Sequence, residues 1–77
     1  MIKDKSQEII IRNASELGKL IKLKRKELQL NQSDLSGMLN VGTRFISELE
    51  NGKPSLEFDK VLKVAAGLGI NLMVKER

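Results

Sequence analysis

Cysteine, histidine, tryptophan and tyrosine are all missing from these 77 residues, and there is one proline. Without cysteine, neither a disulfide nor a thiolate metal site can form. Without histidine, the commonest general base and the commonest metal ligand are gone. No apolar run approaches the ~20 residues that span a bilayer. Ile9-Ile10-Ile11 is far too short for the apolar part of a signal peptide. There is no glycine-rich phosphate loop: Gly67 and Gly69 fall at a helix end of the wrong polarity to cradle an anion. Glu48 and Glu50 are two apart on a helix and face different ways, so they do not pair as acid and base. These absences argue against an enzyme, a metal, a cofactor, a small-molecule substrate and a membrane partner, and for a cytoplasmic protein. The length allows one domain, residues 1–77, with a modest core that a dimer would enlarge.

What is present is organised around residues 31–52. A helix is expected from Gln32, with Asn31 as its N-cap and Asp34 near its positive end. Leu35, Met38 and Leu39 would form its buried stripe. Asn40-Val41-Gly42 breaks it: Asn and Gly tolerate positive φ, and Val41 can point inward. A second helix is expected over 43–51, anchored by Ile46 and Leu49 and ended by Gly52. Each helix is too short to be stable alone. Their outward side carries Thr43, Arg44, Ser47, Glu48 and Asn51, a polar face of the kind that enters a DNA major groove.

Around this unit, residues 1–6 are polar and expected to fray. Residues 7–12 hold three β-branched isoleucines and read as a short strand. Asn13 and Glu16 form a capping-box variant. The first helix is expected over 14–28, with Leu17, Ile21 and Leu28 inward, Leu20 beside them, and Lys22 and Lys26 opposite. Arg25 lies on the flank of the buried stripe and needs an acid there. Ser55 is expected to cap a fourth helix, with Glu57 in its first turn and Phe58, Val61, Leu62 and Ala65 inward. Phe58 reads as a core plug. After Gly67-Leu68-Gly69, residues 70–75 alternate: Ile70, Leu72 and Val74 on one face, Met73 on the other. That is a half-buried strand in need of a partner. The partner is either the isoleucine run or the same strand of a second subunit. A two-fold homodimer closed through Ile70, Leu72, Met73 and Val74 is expected, against a monomer with an intramolecular ribbon.

Arg25, Leu30-Asn31-Gln32, Leu35, Val41, Ile46 and Leu49-Glu50-Asn51-Gly52-Lys53 resemble the Cro/cI-like (XRE) helix-turn-helix family over residues 17–70. The run from Arg44 to Ser55 is most similar to HipB-like antitoxins within it. The resemblance implies a mainly α, lambda-repressor-like bundle of four helices over 14–69, with a C-terminal β-strand at 70–75 and an N-terminal arm or strand over 1–12. It also implies that Arg25 pairs with Glu50. Two positions depart from the family: Gln29 stands where glycine ends the first helix, and Gly42 where Ser or Thr caps the reading helix. Both should weaken local stability.

The net charge is +4, and Lys19, Lys22, Lys24, Arg25 and Lys26 are clustered. Beside a helix-turn-helix, such a cluster points to phosphate. The resemblance implies that Gln32 and the helix end it sits on bind a phosphate. Lys53 can reach another, and Lys22 and Lys26 are weaker candidates. Base reading falls to Arg44, whose fork matches guanine O6 and N7, with Thr43, Ser47 and Glu48 beside it; Glu48 reads as an acceptor for cytosine N4, as an acid that repels phosphate in wrong registers, or as a solvated charge. Phe45, on the helix flank, is expected in the core, with contact to a thymine methyl as the alternative. The implied function is a repressor of a palindromic operator in double-stranded DNA, its half-site centres ~34 Å apart. More narrowly, it is the antitoxin of a HipBA-like module, bound to a HipA-like kinase toxin. A free-standing phage-type or metabolic regulator and a non-DNA-binding adaptor are the alternatives.

Overall fold

The computed structural model describes residues 8–77. Four helices are present among them: α1 Ala14–Glu27, α2 Gln32–Leu39, α3 Thr43–Glu50 and α4 Phe58–Gly67. α3 lies at the centre, packed on α1 and α2, and α2 also meets α4. The core is Ile21, Leu35, Val41, Ile46, Leu49, Val61, Val64, Ala65 and Leu68. Leu17, Leu30, Leu39, Phe45, Leu56 and Ile70 close over it. None of the described helices is long and apolar enough to cross a membrane.

Local chemistry explains most helix ends. Asn13 Oδ1 accepts from the Glu16 amide at 2.9 Å, and Glu16 Oε1 accepts from the Arg12 amide at 2.7 Å. Asn31 and Asp34 make a full capping box. After α1 the chain turns at Gln29, φ +60, with the Leu30 amide bonded back to the Arg25 carbonyl. That closure normally uses glycine, so Gln29 holds a strained backbone. Asn40, φ +55, ends α2, and Gly52, φ +82, follows α3.

Several expectations are corrected. Leu28 and Met38 are exposed rather than buried. Arg25 takes the last inward position of α1, and a two-turn helix such as α2 has room inside for one row, Leu35 and Leu39. Phe58 is no core plug: it is 63% exposed, and Leu62 is also exposed. Ser55 does not cap α4, and Glu57 is its N-cap rather than a first-turn residue, without a side-chain bond. The half-buried Leu56 packs on the core, and the chain is non-helical from Lys53 until Phe58.

The expected strands do not form either. Among the described residues no strand is present, at 70–75 or at 8–12. The two segments line one open cavity, Ile9, Ile10 and Ile11 from one and Leu72, Met73 and Val74 from the other. A strand exists only where its amides and carbonyls meet a partner, and within one chain these segments do not close on each other. The expectations for residues 1–6 and Gln7 lie outside the described residues.

Candidate nucleic-acid interface

α3 has a dry side and a wet side. Ile46 and Leu49 are buried, and Phe45 is half-buried with Lys60 Nζ 5.9 Å from its ring centroid. On the other side Thr43, Arg44 and Asn51 are exposed, and Ser47 and Glu48 are half-buried. The Arg44 side chain is 90% exposed. One oxygen organises this side: Glu48 Oε2 accepts from Arg44 Nε at 3.4 Å and lies 3.3 Å from Lys53 Nζ. Asn51 Nδ2 donates to Ser47 Oγ at 3.5 Å. The groups expected to touch bases are therefore together on one helical face, with Lys53 at its end.

Beneath that face is a buried staple. Arg25 Nε donates to Glu50 Oε2 at 2.6 Å, and Arg25 Nη2 to Glu50 Oε1 at 3.0 Å. Arg25 Nη1 donates to the Leu30 carbonyl at 2.7 Å. Gln32 Nε2 donates to Glu50 Oε1 at 3.0 Å. One carboxylate thus ties α1, α2 and α3 together, and the guanidinium also holds the turn after α1. Burial by itself pushes the Glu50 carboxyl up. Hydrogen bonds from Arg25 and Gln32, with the charges of Arg25 and Lys22, outweigh it and leave the carboxyl below its ordinary value. The hydrogen bond to Glu50 raises Arg25 further above neutrality, against the desolvation that opposes it.

Gln32, expected at a phosphate, is thus engaged with Glu50; its amide keeps a second donor hydrogen. Lys22 is exposed, and its charge is among those that hold the Glu50 carboxyl low. Lys26 and Lys53 are exposed. Ile70 is half-buried on the core, whereas Leu72, Met73 and Val74 are exposed.

Two structural roles escaped the sequence reading. The tie from Gln32 to Glu50 is a contact across 18 positions that no local pattern announces. Gly18 is the other: a Cβ there would run into the Leu49 and Glu50 carbonyls, so α1 crosses α3 backbone to backbone. Its signal was a glycine inside a helix, one turn from Ile21, where it costs about 1 kcal/mol unless something approaches closely.

The comparisons agree with this architecture. The family model described as Helix-turn-helix matches residues 21–74. An uncharacterized HTH-type transcriptional regulator, y4mF of Sinorhizobium fredii, is 42% identical over 62 residues, covering 80% of this chain and 82% of the relative. The control protein C.MunI of Mycoplasma sp is 33% identical, over 70% of this chain and 73% of its own. The ImmF control region 10 kDa protein of Bacillus phage phi105 is 32% identical, over 79% and 70%. Among solved structures, a HipB-O4 20mer complex superposes with a TM-score of 0.80 at 20% identity, over 90% of this chain and 97% of that one. A HipA-HipB-O2-O3 complex gives 0.81 at the same identity and coverage. These structures share the fold, and with the sequence relatives they lead to one conclusion: the chain belongs to the XRE-type helix-turn-helix family and is a DNA-binding transcriptional regulator.

Proposed function

We propose that this regulator is a repressor that binds a palindromic operator as a two-fold homodimer, and that it is the antitoxin of a HipBA-like module. The observation that carries the DNA reading is Arg44, exposed at the start of α3 while Ile46 and Leu49 root that helix in the core. Arg44 would pair with a guanine edge, with Thr43 and Ser47 beside it and Glu48 at the root of the same face. Lys53, Gln32 and, at longer reach, Lys22 and Lys26 would meet phosphates. Dimerisation is supported by Ile9, Ile10, Leu72, Met73 and Val74, which are exposed on two segments with unpaired backbone. A strand added from a second copy would cover them. The antitoxin reading is supported by the fold shared with the HipB complexes. The toxin would be a HipA-like kinase, bound away from α3.

The sequence relatives favour a second reading. C.MunI and the phage ImmF protein, each named for a control role, are more alike in sequence to this chain than the HipB structures are. A free-standing regulator needs no toxin. The test is a salt-dependent gel shift on the duplex upstream of the protein's own reading frame, with purification of any kinase-like neighbour's product against the tagged chain. A sequence-selective shift with kinase capture supports the antitoxin; a shift without capture supports the free regulator. No shift at low salt sinks both.

A further inference from the structure

Arg44 and Lys53 are the two cations best placed on the reading face, and both are already engaged. They share one oxygen, Glu48 Oε2, at 3.4 and 3.3 Å. The Glu48 side chain is only 28% exposed, against 90% for Arg44 and 45% for Lys53. The carboxylate therefore sits at the root of the face with the two cations folded over it. Glu48 is not needed to hold the fold: the buried pair beneath is Arg25 with Glu50, and α3 is anchored by Ile46 and Leu49.

We propose that Glu48 is a specificity-determining residue which withholds Arg44 and Lys53 from the phosphates of arbitrary DNA. Non-specific binding runs on counterion release by free cations, and a cation held by a carboxylate releases fewer. A site whose base edges engage Arg44 in a bidentate fork repays the loss of the Glu48 contact; a bare phosphate does not. Glu48 thus depresses binding to random sequence more than binding to the operator. This rests on the DNA-reading role proposed for α3.

The test uses the full-length chain, a random-sequence duplex and the duplex upstream of its own reading frame, titrated over a salt series. Glu48→Gln keeps the size of the side chain and removes its charge. Glu57→Gln makes the same change in net charge at the N-cap of α4, where Glu57 pairs with Lys60 rather than with Arg44 or Lys53. Glu48→Gln is expected to steepen the salt dependence on random DNA by about one unit of log K per log salt, near tenfold tighter binding at ~0.1 M salt. The gain on the upstream duplex should be several-fold smaller, so the ratio between the two falls. Glu57→Gln should move neither, and Lys53→Ala in the Glu48→Gln background should erase part of the gain. Equal gains for both Gln variants would reduce the effect to net charge and overturn the proposal. A loss on the upstream duplex with no gain on random DNA would make Glu48 a base reader, and would overturn it as well. If the parent and both variants bind neither duplex, the DNA-reading role of α3 itself fails and the proposal falls with it.

Discussion

Arg25 and Glu50 meet as a two-pronged fork across 25 positions of chain, Nε to Oε2 at 2.6 Å and Nη2 to Oε1 at 3.0 Å, with side chains 8% and 2% exposed. Every lone partner of that fork would be a buried, uncompensated charge. Arg25→Ala or Glu50→Ala is therefore expected to cost about 3–5 kcal/mol, read as the shift in urea midpoint. A chain of this size has only ~4–12 kcal/mol to lose. The double change Arg25→Met with Glu50→Leu should recover most of the deficit, because an apolar pair leaves no charge behind. A double variant as unstable as the worse single one would contradict this.

The same carboxylate sets a pH dependence. Glu50 is held below its ordinary value in the folded chain. Its contribution is therefore complete above the unfolded value of about 4.3, and is lost as pH falls through the folded value. Urea midpoints between pH 7 and pH 3 should decline at the acid end. Glu50→Gln should be less stable at neutral pH and flatten that part of the decline. A parallel decline in the variant would assign it to other carboxylates.

Two glycines inside helices should respond with opposite signs. Gly18→Ala drives a methyl into the Leu49 and Glu50 carbonyls and should cost about 1–3 kcal/mol. Gly37, within α2, has no side chain or other segment within 4 Å of where its Cβ would be. Gly37→Ala should gain up to about 1 kcal/mol from helix propensity. Thermal melts of the two variants check both signs at once.

Gln29 pays for its left-handed backbone, φ +60. Gln29→Gly should recover about 1 kcal/mol, the ordinary cost of that conformation for a residue with a Cβ. Gly42, the N-cap of α3 with open space around it and no side-chain bond, is the second weak end. Gly42→Ser should add a few tenths of a kcal/mol. A loss of stability on Gln29→Gly, measured by the same melts, would mean its side chain makes a contact worth more than the strain.

On DNA, Arg44→Ala and Lys53→Ala should separate. The first should relax preference at one base pair per half-site, by about 1–3 kcal/mol. The second should weaken binding to all operator variants alike and make their salt slope shallower by up to about one unit, with a smaller effect on random DNA, where Glu48 holds the cation. Competition against a library of operator variants distinguishes them. Identical selectivity for Arg44→Ala and the parent would remove Arg44 from the groove.

Much of this was legible in the residues themselves because it is local. Asn31 with Asp34, Asn13 with Glu16, and Gly52 after Leu49-Glu50 mark helix ends through contacts a few positions apart. The buried side of α3, Ile46 and Leu49, follows from helical spacing, and the wet side is what remains. Arg25 against Glu50 was legible only through the family pattern, since nothing local joins residues 25 apart.

What periodicity could not decide was which apolar positions find a neighbour. Leu28, Met38 and Phe58 have the right type and spacing for a core, yet lie outside it, because burial needs a second surface as well as an apolar side chain. Ile70–Lys75 has the alternation of a strand without being one, because a strand is a relation between two backbones. The sequence determined where α1, α2 and α3 start and stop and which side of α3 stays wet. Only the packing of α1, α2 and α3 decided that Gln32 turns to Glu50 and that Gly18 lies under the Leu49 and Glu50 carbonyls, since each of those contacts depends on where a chain folded elsewhere comes to rest.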